Sequence, residues 1–288
     1  MNLLMCCTPI NKENIYNKEL RFPYLAGEFF WKIYPQADIY IGTTPDAVIP
    51  EYLKNKFKFI AFPFEKYPFA IARQLFYKRF CESDYFTEDT ILAGCDVIFP
   101  RKIDFSYEEN PITMTYRYHP TMPYCSDFFL LNQKFKEECA DFFSKIIFYM
   151  KWMPKEIQSG WADQLAIART IGYLKDDDFD GANKFSKNIE NIKLVPGDDY
   201  LYTPNDVFPS TKINFTGSII KNTSTVEDYE KLLFNKVGIH FKGNRKKDFI
   251  LISYLAYLKK IIDCNNSSEF MSIEKLFEEP IMAYGKSI

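Results

Sequence analysis

The chain is 288 residues long, 47% hydrophobic and 26% charged, with a formal net charge of −2. That composition excludes a disordered chain, and the near-neutral balance supplies no global field to draw it to nucleic acid or to an anionic membrane. Seven cysteines (6, 7, 81, 95, 125, 139 and 264) form no CxxC pair, which points to reduced thiols in a cytoplasmic protein, and only His119 and His240 are available as imidazoles.

The N-terminus MNLLMCCTPI lacks a basic leader and reads as a strand over Leu3–Thr8. Helical spacing of apolar residues follows over Tyr24–Tyr34. Ala37–Gly42 is a second strand closed by the turn residues TTPD, and Phe57–Phe62 a third. Ala70–Phe80 (AIARQLFYKRF) is an amphipathic helix, and Thr90–Phe99 a fourth strand. Strands alternating with helices predict an α/β fold with a mostly parallel sheet. The second half adds strands at Ile112–Tyr118 and Asp127–Leu131, then helices at Lys134–Met150 and Ala162–Ile171. A polar stretch over 175–192 reads as a surface loop, and short strands are expected at Leu194–Val195, Leu201–Tyr202 and Val237–Phe241. An apolar helix over 247–262 begins a helical C-terminal cap, so the chain divides into a main domain, 1–247, and an extension, 248–288. No stretch reaches the 18 apolar residues that suggest a membrane span.

Four segments carry chemistry. In GCD at 94–96, Asp96 interrupts an apolar run; it is suited to holding a divalent cation, or else it caps a turn or pairs with Arg101 or Lys102. In VGIHFKGNRK at 237–246 a strand delivers His240, Gly243 permits close backbone approach to a ligand, and Lys246 supplies a point charge for phosphate. The alternative there is a structural histidine followed by a solvated basic loop. In SGWADQLA at 159–166, Asp163 and Gln164 open a helix; they suit either hydroxyl groups or the positive end of the helix dipole. PYCSDFFLLN at 123–132 is a turn entering a strand.

The order of these segments resembles the glycogenin-like glycosyltransferases, sugar-nucleotide-dependent enzymes of the GT-A type. In that family an Asp-x-Asp strand end precedes an Asn-Ser-Gly strand, an Asp-Gln helix start and a His-Phe-x-Gly-x-x-Lys motif. The last matches at His240, Phe241, Gly243 and Lys246. The resemblance implies a GT-A sheet with Asp96 and His240 as Mn²⁺ ligands, and Gly243 and Lys246 at the diphosphate. It implies Asp163 and Gln164 at the transferred sugar and Arg73 near the donor, with Ser126 and Cys6 to Thr8 lining the nucleotide pocket. The expected reaction is transfer of a hexose from a nucleoside diphosphate sugar, UDP first among them, to an acceptor hydroxyl with retention. Were the reaction inverting, Asp163 or Asp127 would be the candidate base. Two departures stand out: Gly94 replaces the first carboxylate of Asp-x-Asp, and Cys125-Ser126-Asp127 replaces Asn-Ser-Gly, which makes Asp127 a candidate to restore the missing charge. Gly94 also keeps open a non-catalytic sugar-nucleotide binding module of the same fold.

Overall fold

The computed structural model describes residues 1–6, 20–116, 124–154, 158, 162–171, 192–203, 226–241, 246–269 and 271–284. The strand Asn2–Cys6 (β1), the helix Arg21–Ile33 (α1), the strand Ile39–Thr43 (β2), the helix Glu51–Lys56 (α2), the strand Lys58–Ala61 (β3) and the helix Phe69–Cys81 (α3) alternate as expected. The strand Thr90–Gly94 (β4) follows, and the predicted strand over 90–99 breaks there. Cys95 and Asp96 form a turn, and Val97–Ile98 (β5) leaves for a separate ladder. Strands Ile112–Tyr116 (β6) and Tyr124–Leu131 (β7), helices Lys136–Trp152 (α4) and Ala162–Thr170 (α5), and the strand Lys193–Pro196 (β8) come next. Gly197–Tyr200 (α6), Val226–Asn235 (α7), the short strand Ile239–His240 (β9) and the helix Lys246–Leu258 (α8) complete the frame, with short helices Ile273–Leu276 (α9) and Glu278–Tyr284 (α10) beyond. Helices α2 and α7 escaped the sequence reading; α2 is only six residues long, too short to show helical periodicity. The expected strand at 201–202 reduces to a single bridge between Tyr202 and Ile239. The stretch 175–191 of the expected surface loop lies outside the described residues.

The main sheet has seven strands in the order β3-β2-β1-β4-β7-β6-β8. Pairing is parallel from β3 through β4 and antiparallel on both sides of β7, and β8 rejoins β6 in parallel. The predicted α/β class with a mostly parallel sheet is therefore the observed one. Both faces are covered, which is why the central strands read as unbroken apolar runs rather than alternating ones. Leu3, Met5, Ile39, Ile41, Ile91 and Ala93 face α1 and α8, whereas Leu4, Cys6, Tyr40 and Leu92 face α3, α4 and α5. Strand order turns back at β1 and β4, where ligands of open α/β sheets bind beyond the carboxyl ends. Cys6 and Gly94 stand opposite one another at those ends.

Helix α8 is apolar around its whole circumference, and every residue from Phe249 to Ala256 is buried. Phe249 meets Phe22 of α1 at 5.1 Å and Phe241 at 5.5 Å between ring centroids. Further out, Arg21 pairs with Glu279 at 2.8 Å. These contacts make the C-terminal helices one wall of the same core. A buried Phe, Ile or Leu is worth about 1.5–3 kcal/mol, so losing Phe249, Ile250, Ile252 and Leu255 together approaches the whole stability of about 5–15 kcal/mol. Truncation after residue 247 is thus expected to abolish cooperative unfolding in circular dichroism. A soluble 1–247 fragment with a sharp melt contradicts this.

Candidate functional site

The site grows from three elements that a single side chain ties together. Arg73, on α3, points at the carboxyl end of β4, the amino-terminal half of the antiparallel β7 and the start of α5. Its guanidinium donates to Asp127 Oδ1 at 2.6 Å, to Ser126 Oγ at 2.5 Å, and to the Asp163 carboxylate. Asp127, Ser126 and Asp163 are all buried. Burial alone disfavours charge on Arg73, but the carboxylates of Asp127 and Asp163 outweigh it and raise its pKa well above the ordinary value. The Asp163 carboxylate also accepts from the Gln164 backbone N–H at 2.8 Å, so α5 starts with its first carboxylate fully engaged. Tyr77, one turn along α3, lies by Cys6. Burial first, and the thiol second, push its phenol well above the ordinary value.

β7 supplies three neighbours of the site from one irregularity. Between the pairs Met114–Phe129 and Tyr116–Tyr124, β6 advances two residues while β7 advances five. Extra residues in one strand of an antiparallel pair disrupt the ladder and re-aim side chains. The excess falls at Cys125, Ser126 and Asp127, the segment in which the sequence departs from Asn-Ser-Gly. All three turn toward the crevice.

Asp96 and His240 come from distant parts of the chain and are joined by the small β5–β9 ladder. Val97 pairs with His240, and the Phe241 N–H donates to the Asp96 carbonyl at 3.0 Å. A second backbone bond, His240 N–H to Tyr202 O at 2.8 Å, fixes the other edge of β9. His240 is 2% exposed. Its Nε2 stands 3.5 Å from Asp96 Oδ1 and 3.7 Å from Asp127 Oδ2, and its Nδ1 lies 3.9 Å from the Cys125 thiol. Burial opposes charge on the imidazole, yet Asp127 and Asp96 outweigh it and lift its pKa above the ordinary value. An imidazole facing two carboxylates at these separations suits a divalent cation, since oxygen and imidazole donors are the usual set for one.

The structure thus gathers Arg73, Asp96, Ser126, Asp163 and His240 around one crevice, with Cys6 at the end of β1 and Gln164 on the first turn of α5. Asp96 sits in a turn, not in a strand, with His240 Nε2 3.5 Å from its Oδ1. Of the alternatives, Arg101 donates instead to the Asn235 carbonyl and Lys102 lies over the Tyr34 ring. Thr8 and Gly243 lie outside the described residues, as does the side chain of Lys246, whose backbone opens α8. Cys125 enters the sequence reading only as part of Cys125-Ser126-Asp127, with no role of its own, because its approach to His240 joins segments remote in sequence.

Breaking the guanidinium clamp leaves two carboxylates buried without their counter-charge, which costs about 3–5 kcal/mol. Arg73→Ala is therefore expected to lower the urea midpoint sharply. Arg73→Lys should recover only part, because an ammonium lacks the fork that reaches three acceptors. Equal midpoints for wild type and Arg73→Ala contradict the clamp.

No protein-family model and no curated protein matches the chain. Among solved structures it is similar in chain path to the galactosyltransferase LgtC in complex with donor and acceptor sugar analogues. There the TM-score is 0.49 and the identity 10%, over 88% of this chain and 95% of that one. It is also similar to a glycosyltransferase involved in glycosylation of the major capsid of PBCV-1 (TM-score 0.44, 11% identity, 87% of this chain and 98% of that one). A third is the glycosyltransferase GlyE of Streptococcus pneumoniae TIGR4 (TM-score 0.48, 10% identity, 91% of this chain); this chain spans 64% of its length.

Proposed function

We propose that the protein is a glycosyltransferase of the GT-A type, moving a hexose from a nucleoside diphosphate sugar, UDP-sugar foremost, to an acceptor hydroxyl with retention. The observation that carries this reading is the meeting of Asp96 and His240 with the Arg73–Ser126–Asp127–Asp163 cluster beyond the carboxyl ends of β1 and β4.

The chemical demand is to stabilise a departing diphosphate whose negative charge grows as the glycosidic bond breaks. Asp96 and His240 would hold a divalent cation, Mn²⁺ by the family resemblance. Bound there, the ion supplies Lewis-acid charge to the diphosphate oxygens. Lys246 and Gly243, in the segment that follows β9, would meet the same oxygens, and the N-terminus of α8 adds partial positive charge in that region. Asp163 and Gln164 would accept and donate hydrogen bonds to sugar hydroxyls. Arg73 holds the Asp163 carboxylate in one orientation, so α5 meets the sugar without further ordering. Cys6, Thr8 and Ser126 would border the nucleotide. Because Asp127 and Asp163 are both bound to Arg73, each serves the site as an anchored acceptor rather than a mobile base.

Gly94 favours a second reading, a module that binds the sugar nucleotide without turning it over, since the chain lacks the first family carboxylate at that position. One assay separates the two. Diphosphate release from a panel of sugar nucleotides is followed with Mn²⁺ or with EDTA. Transfer is expected to need Mn²⁺ and to fall at least about 100-fold in Asp96→Ala and in His240→Ala, the scale of losing one electrostatic stabiliser of a developing charge. UDP binding with no turnover across the panel selects the binding module. Turnover insensitive to EDTA rejects the cation while leaving the transferase.

A further inference from the structure

Gly94 is the position where the chain lacks a carboxylate, and the structure shows what fills the space. A side-chain carbon built there would lie 2.6 Å from Asp96 Oδ1 and 3.4 Å from Asp127 Oδ1. The pairing Ala93–Phe128 between β4 and β7 brings Gly94 level with Asp127 on the neighbouring antiparallel strand. We propose that the missing donor has moved across strands: Asp127 supplies the carboxylate that Gly94 lacks, and a divalent cation is held by Asp96, Asp127 and Nε2 of His240.

Four features of the side chains support this. Asp127 splits its two oxygens, with Oδ1 on Arg73 at 2.6 Å and Oδ2 facing His240 Nε2 at 3.7 Å. A carboxylate held by one oxygen presents the other in a fixed direction, which is how outer partners orient metal ligands. The separations of 3.5 and 3.7 Å from Nε2 to Asp96 and Asp127 are too long for good hydrogen bonds. They lie close to the roughly 3.0–3.5 Å expected between donors sharing one small cation at about 2.1 Å. Cys125 lies 3.9 Å from Nδ1 of the ring, and its thiol donates to Asp127 Oδ2 at 3.6 Å, so Cys125, Asp127 and His240 stand close enough to share an ion. A ring bound through Nε2 turns Nδ1 and the thiol beside it away from the ion, which leaves the thiol to orient the Asp127 carboxylate while Asp96 completes the donor set. Finally, Gly94 leaves room for the Asp96 carboxylate: a side-chain carbon at 94 would meet Asp96 Oδ1 at 2.6 Å and displace it, while Asp127 lies at ordinary contact distance from the same point.

The inference deepens the proposed transferase reading, and its test reads cation binding directly so that the two can fail separately. Mn²⁺ is titrated into the intact protein while the paramagnetic resonance signal of the free ion is followed, with circular dichroism melts as a check on folding. Asp127→Asn, nearly isosteric, is expected to weaken Mn²⁺ binding at least about tenfold, the lower range for disturbing a metal site's ligand shell. Gly94→Asp alone should also weaken it. The exchanged pair Gly94→Asp with Asp127→Asn should regain part of the loss, because the carboxylate then returns to β4 while an amide oxygen at 127 still accepts from Arg73. Co²⁺ bound to the wild-type protein should show no thiolate-to-cobalt charge-transfer band. Wild-type affinity in Asp127→Asn, a thiolate band, or no Mn²⁺ binding by the wild type overturns the inference. Mn²⁺ binding that follows this pattern without any sugar transfer upholds it and rejects the transferase.

Discussion

The buried guanidinium of Arg73 is the interaction on which the site's geometry depends. An arginine can be removed from water only where its charge is compensated, and each carboxylate buried beside it carries the same requirement. Asp127, Ser126 and Asp163 meet its two terminal amino groups from two elements, β7 and α5, while the arginine itself rides on α3 and its Nε has no hydrogen-bond partner among the described residues. Moving any one of these elements by more than about 1 Å would break one of these bonds and strand a charge. The clamp therefore sets how the helices on that face of the sheet sit against the strand ends, and it does so where the crevice opens. It is weak evidence for global stability, since apolar side chains of similar volume would pack there at no desolvation cost. What it supplies is orientation of polar groups.

That orientation depends in turn on strand irregularity. A regular β7 would alternate its side chains strictly between the two core faces, and only alternate residues of Cys125–Asp127 could reach the crevice. The extra residues opposite β6 break the alternation. On the other side of the crevice the break between β4 and β5 does similar work. Asp96 leaves the sheet at the turn, and β5 is free to pair with β9 and bring His240 in. Both departures from regular sheet geometry occur at the edge formed by the carboxyl ends of β1, β4 and β6, where the antiparallel β7 begins. The backbone is least regular where polar side chains converge, while a few residues earlier the same strands are apolar and fully buried.

The central strands and the long helices were legible in the sequence because burial on both faces of the sheet leaves continuous apolar runs, and a helix such as α1 carries strong periodicity. Asp96 and His240 were legible as oddities: a carboxylate in an apolar run, and one of two imidazoles in the chain. Their partnership was not legible, because it depends on a two-residue ladder between segments remote in sequence, and so short a ladder leaves no periodic signal. The same holds for Arg73. Its position on an amphipathic helix is plain, but Ile71, Ala72 and Gln74 around it give no sign that its side chain turns inward to two carboxylates. The bulge in β7 was hidden for a further reason. PYCSDFF reads equally well as a turn followed by a strand, and only the pairing with β6 shows that the strand begins at Tyr124.

Gly94 shows how a local comparison of motifs can mislead when the chemistry is set by neighbours in space. Read along the chain, a glycine where a carboxylate is expected means a lost charge. Viewed across the sheet, that charge has a counterpart one strand away, with its two oxygens divided between a guanidinium and an imidazole. A donor set needs oxygen and nitrogen atoms at suitable separations; it does not need them from a particular strand. The neighbouring strand is even the better anchored source, because a carboxylate on β7 lies within reach of Arg73. The consequence is a coupling absent from a motif carried wholly on β4: the residue that faces the imidazole is the same one that fixes α3 and α5. In this crevice, the electrostatics that orient the helices and the electrostatics that would receive a cation pass through one side chain, Asp127.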